Sequence, residues 1–173
     1  MKLFKKYAAD LEVFGMAAGV TFISWSQTST GFKVLNDYNI NSPGGWDYIL
    51  VDGAHKRVYV SHGMQVNILS TTGDSLGYIP KTTGVHGIAL VHDLNKGFTS
   101  NGRSNSVTVF DLKTLTATGE ITLPVKNPDA IFYDDFSKKI ITCDGGSHDL
   151  CFIDPATEKV VATVPLGEKL ETA

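Results

Sequence analysis

Cysteine is scarce: Cys143 and Cys151 are the only two in 173 residues, too few for a small disulfide-stapled scaffold. Neither belongs to a Cys-x-x-Cys pair, which excludes the usual zinc ribbon and covalent haem attachment. Arginine is confined to Arg57 and Arg103, and the formal net charge is −3. A chain built to grip phosphate backbones carries a basic face instead, so nucleic acid is not the expected partner. Gly-x-Ser-x-Gly, Gly-x-Gly-x-x-Gly and phosphate-loop motifs are all missing. No apolar run reaches the roughly 20 residues a membrane-crossing helix needs. What is present is a globular composition, 42% hydrophobic and 19% charged, at a length that suits one domain.

The first thirty residues differ from the rest. Lys2, Lys5 and Lys6 precede an uncharged, mostly apolar run over residues 13–23. That order suits the basic and apolar regions of an export signal, with Ser24 and Ser26 as small residues before a cut ahead of Gln27. Asp10 and Glu12 depart from the pattern. The expectation is a signal peptide over 1–26 and a periplasmic or secreted mature chain; without cleavage the chain is cytoplasmic.

From residue 31 onward helical periodicity is absent. Short β-rich runs alternate with Gly, Asn, Asp and Pro clusters, the pattern of an all-β sandwich, barrel or propeller. Internal repetition decides among them. Segments starting at Trp46, Val85 and Pro128 superpose without gaps over their first residues, a period of about 40. The turns recur in register: Asp52-Gly53-Ala54-His55, His92-Asp93-Leu94-Asn95 and Asp134-Asp135-Phe136-Ser137 after the first strand, then His62-Gly63, Asn101-Gly102 and Asp144-Gly145 after the second. Gly at these second turns is expected to supply a positive φ. Four strands per unit at this period predict propeller blades over 46–84, 85–126 and 127–169.

The second strands, Tyr59-Val60-Ser61-His62, Phe98-Thr99-Ser100-Asn101 and Ile141-Thr142-Cys143-Asp144, resemble degenerate copies of the Tyr-Val-Thr-Asn motif of the YVTN β-propeller repeat family. Gly44-Gly45-Trp46-Asp47-Tyr48, Gly84-Val85-His86-Gly87 and Asn127-Pro128-Asp129-Ala130 are similar to its bacterial YncE-like branch. The resemblance covers residues 31–173. It implies an exported seven-bladed propeller of which about three blades are present, with 32–38 as a strand that closes the ring. It is specific for fold and says little about activity.

The repeat register places Asp47, His86, Asp129 and Glu171 at one equivalent position, the mouth of the innermost strand. Carboxylate and imidazole groups converging there suit a cationic ligand or a divalent metal ion, the one cofactor the sequence suggests. Asp47, His86 and Asp129 are the candidate metal ligands; a solvated acidic rim is the competing reading. His62, Asn101 and Asp144, with Arg103 and His148 in the turns that follow, are a second candidate ligand-binding set, for which hairpin-turn chemistry is the plainer account because Asn-Gly and Asp-Gly are favoured turn pairs. Cys143 and Cys151 flank one hairpin, where either a cross-hairpin disulfide or two small strand residues would fit. Trp46 and Tyr48 are expected to pack between blades.

The function expected from these features is non-enzymatic: an exported propeller binding a small ligand or a protein at its channel face. The alternative is a propeller enzyme, lactonase-like or amine-dehydrogenase-like, with a metal or general base at the channel mouth.

Overall fold

The computed structural model describes residues 33–170. The expected signal segment, Phe32 and Glu171 lie outside the described residues. The chain divides into two units, Met1–Asp37 and Tyr38–Ala173, and the described part of the first is irregular. No strand forms between residues 33 and 45.

The second unit is all-β, as the repeats predict. It holds three four-stranded antiparallel meanders, each in sequence order. The first comprises β1 (Trp46–Asp52), β2 (Arg57–His62), β3 (Gln65–Ser70) and β4 (Ser75–Pro80). The second comprises β5 (Val85–Val91), β6 (Lys96–Asn101), β7 (Ser106–Asp111) and β8 (Thr116–Thr122). The third comprises β9 (Pro128–Asp134), β10 (Lys139–Asp144), β11 (Asp149–Asp154) and β12 (Lys159–Pro165). Strand β5 lies between β1 and β9. These are propeller blades.

Two apolar cores hold the blades face to face. Between the first and second lie Tyr59, Val66, Ile68, Ile79, Ile88, Phe110 and Leu112. Between the second and third lie Phe98, Val107, Val109, Ile140, Cys151 and Ile153. The alternation of side chains along a strand makes this work: Phe98 and Val109 face one neighbour, Phe110 the other. Burial of each large side chain contributes roughly 1.5–3 kcal/mol.

Short polar side chains build the turns. Asp111 accepts backbone N–H bonds from Lys113 and Thr114, and Asp154 does the same for Ala156 and Thr157. Left-handed residues then close the loops, Leu115 at φ 57° and Glu158 at φ 57°. The second turns correct the expectation about glycine. Gly63 does take positive φ, at 64°, but in the other two blades Asn105 and His148 carry the left-handed conformation, at 51° and 63°. Gly102 is needed for space: a Cβ there would lie 2.6 Å from His86 Nε2 and 2.4 Å from Asn127 Oδ1.

Candidate functional site

Each first strand begins with an irregularity. Trp46 pairs with His62 and Ile49 with Val60, so Asp47 and Tyr48 oppose Ser61 alone. His86 and Gly87 likewise oppose Ser100, and Asp129 and Ala130 oppose Cys143. Two residues against one is a β-bulge, which turns a side chain out of the regular ladder. Serine on the second strand ties the bulge down. Ser61 Oγ donates to Tyr48 O at 3.1 Å, and Ser100 Oγ accepts from Gly87 N–H at 2.9 Å. Ser100 also donates to the Asp129 carbonyl, fastening the second bulge to the third.

Asp47, His86 and Asp129 meet there. His86 Nδ1 lies 2.6 Å from Asp47 Oδ2 and 3.8 Å from Asp129 Oδ1. The imidazole therefore sits between two carboxylates, its Nδ1–H donating to Asp47 and its Nε2 edge backed against Gly102. All three side chains are partly open to solvent. The cluster has an excess of negative charge at neutral pH, an arrangement that favours cations.

The second set lies elsewhere. His62, Asn101 and Asp144 are buried at the ends of β2, β6 and β10, inside polar networks of their own blades. His62 Nε2–H donates to Gly44 O at 2.7 Å, while Nδ1 takes a hydrogen bond from Ser42, whose oxygen accepts from Asn67. Asn101 donates to Ser106 and Thr108 and accepts from Thr99. Asp144 accepts from Thr142 at 2.8 Å through Oδ1, and its Oδ2 is buried without a hydrogen-bond partner. Burial, with Asp149 close by, pushes the Asp144 carboxyl up to about 7. His62 and Asn101 are spent on hydrogen bonds within their own blades, and Asp144 is so through one oxygen only. Arg103 and His148 are exposed in the following turns, Arg103 with its stem over Gly84.

One of the two alternatives for the cysteines and one packing expectation fall away. The cross-hairpin disulfide is not formed: Cys143 pairs with Leu150 and Cys151 with Thr142. Adjacent ladder positions point to opposite faces, so the two buried thiols are free and turned apart. Burial raises both, Cys151 to about 12. Trp46 is 54% exposed rather than packed between blades, and its ring stacks on His62 at 3.6 Å.

One group of side chains escaped the sequence reading. Asp52, His55 and His92 gather at the opposite end of β1 and β5. The sequence signal is the presence of both histidines in the corresponding first turns of neighbouring repeats.

Neither a protein-family model nor a curated protein matches this chain. Among solved structures it resembles Kuenenia stuttgartiensis hydrazine synthase, at 17% identity and TM-score 0.67, over 83% of this chain and 41% of that one. It resembles the WD40 repeats of RRP9 at 11% identity and TM-score 0.66, over 75% and 41% of the two chains. The Neurospora crassa Pan2 WD40 domain matches at 14% identity and TM-score 0.56, over 68% and 35%. The likeness is one of fold, and the chain spans about two fifths of the length of the first two.

Proposed function

We propose that this chain is the ligand-recognition part of an exported, non-enzymatic β-propeller of the YVTN type. Its site is the mouth formed by Asp47, His86 and Asp129, and its ligand is a cation: a divalent ion, or the positively charged group of a small molecule or protein. The observation that carries this reading is the convergence of one titratable side chain from each of three blades, within 2.6 and 3.8 Å of a single imidazole nitrogen. Residues so far apart in sequence meet only because the blades pack side by side. Two carboxylates and one imidazole favour a hard divalent ion such as Mn2+ over a thiophilic one.

Calorimetric titration with Mn2+ tests it. His86→Ala and Asp129→Asn are each expected to weaken binding about tenfold or more, which is about 1.4 kcal/mol. Asp74→Asn, in an exposed turn of the first sheet, is expected to change nothing. Equal affinities in all variants would leave a solvated acidic rim and overturn the proposal.

A further inference from the structure

The turns that leave β1 and β5 bring three potential metal ligands together at the end of the strands away from the mouth. Asp52 closes β1, and its side chain is 1% exposed. Its carboxylate accepts the His55 backbone N–H at 3.2 Å and lies 2.8 Å from His55 Nδ1. His92, from the neighbouring blade, places Nε2 3.6 Å from the same carboxylate. The two imidazole rings face each other with centroids 5.2 Å apart and planes inclined by 30°. One donor atom from each residue falls within a circle of mutual distances no longer than 4.8 Å.

Turn geometry explains Asp52 but not the histidines. Asp134 stands at the same place in the third blade and caps its turn through the Phe136 and Ser137 N–H groups, with no imidazole beside it. In the first two blades a buried carboxylate faces two imidazoles that remain a little under half exposed, at 44% and 45%. Calcium and magnesium prefer all-oxygen cages. Two histidines and one aspartate are the donor set of zinc-class ions, and exposed rings can turn to reach metal–ligand distances of about 2.0–2.2 Å.

We propose that Asp52, His55 and His92 form a zinc-class metal site that links the first and second blades. Three protein ligands leave one coordination position open. Asp52 and His92 also line a cleft of about 410 Å³, together with Leu50, Leu90, Ile131, Tyr133 and Asp135. The site is separate from the mouth and does not depend on the function proposed for it.

The test uses the full chain carrying His86→Ala and Asp129→Asn, so that the mouth is weakened as a competing site. Zn2+ is titrated calorimetrically, and Co2+ is added separately to read its visible absorption bands. Stoichiometric Zn2+ binding and nitrogen-ligated Co2+ bands are expected. Adding His55→Gln or His92→Gln should weaken Zn2+ about tenfold or more and abolish the bands, with an unchanged circular dichroism spectrum. Absent binding in the starting variant, or unchanged affinity after either histidine replacement, overturns the site. Failure of the mouth is read separately, as Mn2+ affinity that ignores His86→Ala.

Discussion

Asp144 holds a charge conflict that its counterpart in the second blade avoids. Asn101 occupies the equivalent place and spends its amide on Ser106 and Thr108. An ionised Asp144 has only acceptors to offer, beside a second carboxylate, and one oxygen stays unmatched. Its carboxyl, ordinarily near 3.8, titrates at about 7 in the folded chain. Between those values the folded state holds a proton that the unfolded state has released. The group therefore favours folding fully below 3.8, and that contribution disappears as pH rises through about 7. Asp144→Asn supplies the amide that the second blade already uses. It is expected to stabilise the chain by about 1–3 kcal/mol at slightly alkaline pH and to flatten the pH dependence. Urea midpoints of both proteins at about pH 5 and about pH 8 check this; parallel pH dependences would refute it.

At the scale of the strand pair, β6 and β7 show how closely the blades are fitted. Gly97 pairs with Phe110, whose ring lies over it so closely that a Cβ would sit 2.0 Å from Cζ. Phe110 is also the contact to Tyr59 of the first blade, with centroids 5.9 Å apart. Gly97→Ala must displace that ring and loosen the interface as well as the hairpin, at a cost of about 1–3 kcal/mol in thermal or chemical unfolding. An unchanged midpoint would mean that the ring swings aside freely. Strands and turns of this kind were legible in the sequence, because the four-strand unit repeats and Asp, Asn and Gly mark its corners. The alignment also located Asp47, His86 and Asp129 together, since equivalent positions on neighbouring blades become neighbours in space. Burial of His62, Asn101 and Asp144 was not legible. A polar residue before glycine looks like turn chemistry until the ladder shows its side chain turned into the sheet. The cysteines depended on register, and a shift of one residue reverses which face a side chain takes. His55 and His92 lie in turns whose local sequence marks only a connection, and they meet because His92 reaches Asp52 from the neighbouring blade.

At the scale of the whole described unit, two sheet faces stand without a neighbour. Ile49 and Val51 on β1 are 66% and 63% exposed, and Leu76 and Tyr78 are exposed on β4 at the other edge of the same sheet; Val161 and Val164 are exposed on β12. Apolar surface gathered in this way drives association. The 173-residue chain produced alone is expected to self-associate, read by light scattering across a size-exclusion peak. A sharp monomer with cooperative unfolding would contradict that. The bulges that open β1, β5 and β9 carry a different consequence. Each presents one side chain to a shared space while its backbone is held by neighbouring strands, so the exposed group contributes little to the ladder itself. The three bulges thus form a row of equivalent positions, one to a blade. Exchanging one of these side chains, acid for amide or imidazole for cation, is therefore expected to change the chemistry of the shared space while the ladder beneath keeps its pairing.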